Sequence, residues 1–488
     1  MKTRNLFLSL FAFAAVCACN KEEVQGTPEV LDADTYVKVN IMATPATKAT
    51  EVGDENDVKN ALFLFFDAAG NAVHDETKTD LSFGSDNADN MNVTKSATIK
   101  LPAKATKPAS MLVVLNFSDA SKYTEKTIET VIGTTMTEAS LYFTEDTKNY
   151  FLMTNSVYSD GTKKVCAATL TDANFGKVGA ENAEGTAVDP VNVYVERVAA
   201  KVIITDNTSG NITPSEISVM SGTPAVATPM TITPKVFGFD VVETPEEAYS
   251  FKQINLGWTY AGWNDKENFR SYWSETASHL WTDPDDYTYK VANTFTQNED
   301  PIYLFENTSS TTTKVVLVAQ LTNDGTTPVE LVRYNNTYYT LDAFKAYAAG
   351  VASATTGESV NVAELSISAG KIAGLSNNYE MYLTHTTPAV ADVLREMTAM
   401  YWSNGYTYYF TDIKHDLTTG TPAERLSGVV RNHVYKITLN SIQGLGVSVP
   451  DPTQEIDPET PKAEYYSLNA TVNILQWKIV EQSVNFNN

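Results

Sequence analysis

Histidine is the side chain that titrates near neutral pH and most often ligates metals, so the five in this chain are the first to test for chemistry. His74, His279, His385, His415 and His433 are isolated, with no H-E-x-x-H motif and no pair at metal-ligand spacing. His415 stands beside Asp416, a neighbour able to orient an imidazole, but no serine lies in a G-x-S-x-G elbow to be activated. The acidic stretch Asp283-Pro284-Asp285-Asp286 lacks the spacing and the glycine of a calcium loop. No glycine-rich phosphate cradle occurs. Each histidine is therefore read as structural, and the sequence predicts no catalytic site, no metal and no cofactor. The chain is read as a non-enzyme.

The three cysteines tell a different story. The start, MKTRNLFLSLFAFAAVCACNKEE, pairs Lys2 and Arg4 with an apolar run from Leu6 to Val16 that is too short to span a bilayer. It is read as an export signal over residues 1–19. Val16, Cys17 and Ala18 before Cys19 resemble a bacterial lipobox, in which Cys19 becomes the lipidated N-terminus; a plain secretory signal is the alternative. Cys17 leaves with the signal and Cys19 takes lipid, so Cys166 remains alone, without a partner for a disulfide. Stability must come from core burial, for which 488 residues suffice, most naturally as two domains.

Charge narrows the partners. With 35 Lys and Arg against 59 Asp and Glu, the net charge is −24, which repels nucleic acid. Two aromatic clusters, Trp258, Tyr260 and Trp263, then Tyr401, Trp402, Tyr406, Tyr408 and Tyr409, have the composition of sugar-stacking platforms. Core and sandwich-edge packing is the simpler reading of both.

Positioning falls to strands. Many tyrosines and threonines, and short Val/Ile runs bounded by Gly, Asn, Asp and Pro, predict an all-β protein. Val37, Val39 and Ile41 alternate along residues 36–43, and the polar stretch 44–60 after them offers a Lys48–Ala49 bond in a protease-accessible loop. Residues 49–205, closed by the run 192–205, are expected to form one β-sandwich and 206–449 a second, with short helices near TEKTIETVIG, LDAFKAYAAG and AVADVLREMTAMY. Residues 20–48 precede them as a removable segment.

The far end is tethered. Residues 450–462, PDPTQEIDPETPK, carry four prolines and four acids and behave as an extended linker. After it, 463–488 holds a period-two strand with Leu468, Ala470, Val472, Ile474, Val480, Val484 and Phe486 on one side. Between Ile474 and Val480 the apolar set moves to the other side as Leu475, Trp477 and Ile479, which predicts a bulge or a strand working in two halves. Such a strand pairs either within its own domain or with another molecule.

Taken together, the lipobox at Cys19, ALFLFFDAAGNAV, VVLNF, FLMTNS, VERVAAKV, YLFENT, GYTYYFTDIKH, VVRNHVYKITLNSIQGLG and ATVNILQWKIV resemble the fimbrillin family of the Bacteroidetes, subunits of type V pili, and within it the shaft subunit of minor fimbriae. The resemblance implies two transthyretin-like β-sandwiches in series with a tethered donor strand. It implies export as a lipoprotein to the outer membrane, where a trypsin-like protease cuts after Lys48 and removes the strand with Val37, Val39 and Ile41. Lysine stands where the best-known members have arginine, so either the protease accepts lysine or the cut lies elsewhere in 44–60. The donor strand of another copy, from Leu468 through Trp477 and Ile479 to Phe486, would fill the groove and build an extracellular fimbria. Partners would be other copies, accessory fimbrial subunits, the protease, and a host protein or glycan receptor, with adhesion and biofilm formation as outcome. A monomeric glycan-binding lipoprotein, or the anchor of the same fimbria, is the alternative.

Overall fold

A computed structural model describes residues 29–43, 55, 57–79, 81, 93–156, 167–176, 189–207, 212–252, 301–307, 313–369, 380–415, 429–451 and 466–476. The first eleven strands are β1 (Thr35–Ala43), β2 (Ala61–Phe66), β3 (Ala72–Lys78), β4 (Val93–Leu101), β5 (Ser110–Leu115), β6 (Thr135–Thr137), β7 (Tyr142–Glu145), β8 (Lys148–Phe151), β9 (Met153–Asn155), β10 (Ala168–Thr169) and β11 (Val191–Arg197). A short helix, α1 (Ile128–Ile132), lies where TEKTIETVIG predicted one.

Eight of these strands make one sheet in the order β3-β2-β5-β9-β11-β1-β4, with β10 also on β5. The unbroken apolar run of β2 is explained by burial of both its faces. Phe63 and Phe65 point to one core with Val113 of β5, while Leu62, Leu64 and Phe66 point to another with Leu112 and Val114. The first core also takes Val37, Val39 and Ile41 of β1, Ile99 and Leu101 of β4 and Val193 of β11. One sheet thus supplies side chains to a shared core from both of its ends, curling around them.

The second group comprises β12 (Ala200–Asp206), β13 (Ile212–Thr213), β14 (Ser215–Ser221), β15 (Val226–Val242), β16 (Glu247–Tyr249), β17 (Pro301–Leu304), β18 (Lys314–Thr322), β19 (Leu331–Tyr334) and β20 (Thr337–Tyr339). After these come β21 (Ser366–Ala369), β22 (Glu380–Thr384), β23 (Ala399–Trp402), β24 (Tyr406–Asp412), β25 (His433–Gly444), β26 (Val447–Ser448) and β27 (Tyr466–Gln476). A five-stranded sheet runs β13-β25-β12-β17 with β27 on β25, and a ten-stranded one runs β21-β22-β23-β19-β20-β14-β15-β18-β24-β26. Val202, Ile204, Tyr435 and Ile437 of the first pack on Phe239, Val315 and Leu317 of the second, the interdigitation of a sandwich.

Helix α2 (Leu341–Thr356) starts at Thr340, whose hydroxyl accepts from Ala343 N at 3.3 Å, and ends at Gly357 with φ 77°. Phe344, Ala348 and Ala352 on its buried face meet Val390 and Leu394 of α3 (Pro388–Arg395). The all-β class holds, with these helices as additions.

The run 192–205, expected to close the first domain, holds two strands in two sheets: β11 pairs with β9 and β1, whereas β12 pairs with β17 and β25. The break falls at Val198–Ala199, which are buried in the core that joins Leu62, Leu64 and Phe66 to Phe251, Phe305 and Val434. Apolar content continues across the break because both sides are buried, so hydropathy alone does not register it.

Candidate strand-exchange site

Alternation in TYVKVNIMA places Val37, Val39 and Ile41 in the core while Tyr36, Lys38 and Asn40 stay half-exposed. The strand these residues form is interior, not peripheral. It runs parallel to β11, from Val39 opposite Val191 to Ala43 opposite Val195, and antiparallel to β4, from Thr35 opposite Leu101. Asn40 adds a side-chain bond to Asn192 at 3.0 Å, and Tyr36 exchanges backbone bonds with Gly176 at 2.8 and 2.9 Å. Removing β1 would therefore uncover two strand edges at once and an apolar trench. Burial of its three core side chains is worth roughly 1.5–3 kcal/mol each.

The C-terminal strand lies in a different sheet. Within the chain, β27 pairs antiparallel with β25, from Tyr466 opposite Gly444 to Gln476 opposite His433, with a register shift between Leu439 and Ser441. Leu468 is opposite Ile442, Ala470 opposite Leu439, Val472 opposite Ile437 and Ile474 opposite Tyr435. The structure does not bring β1 and β27 together. Cys19, Lys48, Ala49, Cys166, His279, Trp258, Tyr260, Trp263, the 283–286 acids, and Trp477, Ile479, Val480, Val484 and Phe486 lie outside the described residues.

Several of the remaining candidates are buried. Tyr401, Trp402, Tyr408 and Tyr409 are buried, so the alternation of that cluster belongs to core packing and not to a sugar platform. His415 Nδ1 shares a hydrogen bond with the Tyr435 hydroxyl at 2.7 Å, and His433 Nδ1 bonds Arg431 O at 2.8 Å. Burial pushes both imidazoles down, His433 to about 4, and the nearby Lys252 ammonium adds to the effect. Among the described residues no three His, Cys, Asp or Glu side chains converge as a metal site, and no helix is long and apolar enough to cross a membrane.

Sequence reasoning missed a buried ionic network between the sheets. Arg431 Nε donates to Glu306 Oε1 at 2.6 Å, and its other nitrogens donate to Ser250 O at 3.2 Å and Tyr249 O at 2.8 Å. Lys252 Nζ lies 3.6 Å from Glu196 Oε1, both fully buried. Burial pushes the Lys252 ammonium down, opposed by the Glu196 and Glu306 carboxylates. The only signal was charge embedded in apolar runs, VERVAAKV and VVRNHVY, since buried charge demands a partner.

Residues 400–483 match the family model described as major fimbrial subunit protein type IV, fimbrillin, C-terminal. That stretch contains β25 and β27 and is similar to a fimbrillin C-terminal region. Similar solved structures include a fimbrilin from Porphyromonas gingivalis, at 16% identity and TM-score 0.41 over 91% of this chain and 99% of that one. The tip fimbrial protein Mfa3 of the same organism, with a C-terminal truncation, matches at 13% and 0.34 over 91% of this chain and 100% of its own. A fimbrial assembly protein from Parabacteroides distasonis matches at 11% and 0.29 over 75% and 99%. No curated protein matches the chain.

Proposed function

We propose that this fimbrillin-type chain is a structural shaft subunit of a cell-surface fimbria, assembled by strand exchange after proteolysis. The observation that carries the reading is the position of β1, an interior strand seated between β11 and β4. The subunit is exported as a lipoprotein through Cys19 and cut at Lys48–Ala49 by a trypsin-like surface protease. Residues up to 48, β1 included, then leave.

An open trench between β11 and β4 binds an added strand through ladder bonds and alternate side chains. The donor is the C-terminal strand of another copy. Its patterning shifts after Ile474, which divides the labour: residues 466–476 stay on β25, and the stretch from Trp477 to Phe486 enters the neighbour. That stretch is ten residues, against nine in β1. A head-to-tail contact of this kind does not close, so it grows a filament. Two sandwich domains in series would form the repeating unit, with accessory subunits and a host protein or glycan receptor as further partners in adhesion and biofilm formation.

A second reading is favoured by one observation, the intramolecular pairing of β27 with β25. If all of 463–488 serves its own sheet, the chain is a monomeric glycan-binding lipoprotein or the anchor of a fimbria. Mass spectrometry of the N-terminus of protein taken from native cells, with an unboiled denaturing gel, separates the two. A start at Ala49 with a ladder of heat-labile oligomers supports the shaft; a lipidated Cys19 with one monomer band overturns it.

A further inference from the structure

After β1 ends at Ala43, Glu55 is the next described residue. Its carboxylate Oε1 accepts from Lys201 Nζ at 2.8 Å and from the Tyr303 hydroxyl at 2.5 Å. Its carbonyl accepts from Arg197 Nε at 3.3 Å and Nη2 at 3.2 Å. Arg197 closes β11 in the first sheet, whereas Lys201 in β12 and Tyr303 in β17 belong to the second. One residue is thus bound from both sides of the junction. Its side chain is only 17% exposed, so the charge is poorly replaced by water.

The end of β1 is pinned nearby. Ala43 is in register with Val195, two positions before Arg197, so Ala43 and Glu55 lie at the same end of β11. Downstream of Glu55 the chain stays held: Lys148 Nζ donates to Asp57 at 3.1 Å, and Lys59 N donates to Asn116 Oδ1 at 2.8 Å. Lys59–Asn60 is the next bond after Lys48–Ala49 that a trypsin-like enzyme would recognise.

We propose that Glu55 is a latch across the junction of the two sheets, confining proteolysis to residues upstream of it and holding the retained chain start in place once β1 is gone. Protease action needs a locally opened backbone, and the contacts of Glu55 suppress opening between it and β2. Without the latch, the new terminus would fray toward Lys59, and the base of the trench, where Arg197 ends β11, would lose its cover. The biological use rests on the processing reading above; the latch itself does not.

The test is limited digestion of the full chain with trypsin, with product N-termini followed over time by mass spectrometry. The wild type, Glu55→Ala, Glu55→Gln and Tyr303→Phe are compared after circular dichroism confirms folding. In the wild type the product beginning at Asn60 forms slowly. In Glu55→Ala it should form about ten- to a hundredfold faster, as expected when charged hydrogen bonds are lost and cleavage follows the open population. Glu55→Gln should fall between, and Tyr303→Phe, which removes one hydroxyl, should shift the rate in the same direction by less. Equal Asn60 rates in wild type and folded Glu55 variants would overturn the latch, and should Glu55→Ala not fold, an unchanged rate in Tyr303→Phe does so. If trypsin spares Lys48–Ala49, the processing reading fails while the Lys59 comparison still decides the latch.

Discussion

Ile41 of β1 lies in parallel register with Val193 of β11, and both are buried in the same core. Parallel neighbours seldom come from adjacent stretches of chain, and here 152 residues separate them, as the Asn40–Asn192 bond beside them also shows. Ile41→Ala should therefore cost the uncut protein about 2–5 kcal/mol, the usual range for a buried isoleucine truncation. In protein already freed of residues up to 48 the same substitution is absent with the strand, so its stability should equal that of the cut wild type. Denaturant unfolding of both forms checks this.

Arg431 and Glu306 are both sealed from water, so removing one charge strands the other. Arg431→Met should destabilise by about 3–5 kcal/mol, and Arg431→Met with Glu306→Leu should recover much of that loss. A double-mutant cycle in urea measures the coupling; additive losses would show that the pair acts independently.

Stability should fall with acid. Unfolded histidine titrates near 6.5, but His433 in the fold is held down to about 4 by burial, and His415 is also lowered. Between those values the unfolded chain binds more protons than the folded one, so folding stability is complete above about pH 6.5 and is lost progressively as pH falls toward 4. Glu306 and the Arg431 carbonyl favour the His433 proton while Lys252 opposes it, and burial outweighs them. Urea midpoints between pH 4 and 7 should drop steeply in the wild type and less steeply in His433→Gln.

A chain ending at residue 476 keeps β27 on one edge of β25 and β12 on the other, and lacks only the stretch from Trp477 onward. It should remain a folded monomer and give no heat-labile oligomers. Size exclusion and circular dichroism decide; loss of the folded state would show that the stretch belongs to its own sheet alone.

Strand identity was legible wherever burial was one-sided or total. The alternation of 36–43 gave β1, the apolar block ALFLFF gave β2, and the amphipathic LDAFKAYAAG gave α2. The break inside 192–205 was hidden because Val195, Val198, Ala199 and Ala200 are all apolar and all buried, although they serve different sheets. Glu55 was equally opaque: an acid in a polar loop looks like any solvated acid until a chain segment nearly 250 residues away places Tyr303 beside it. The aromatic run YWSNGYTYYF shows the reverse, a composition suited to binding whose side chains mostly pack inward.

The interior seat of β1 has a mechanical side. A strand paired with β4 from Thr35 to Met42 and with β11 from Val39 to Ala43, if pulled by one end, is loaded along its own axis, so the backbone bonds of each ladder resist together instead of parting in succession. The same geometry that makes β1 hard to extract before the chain is cut would give any strand seated in its place a high tensile strength.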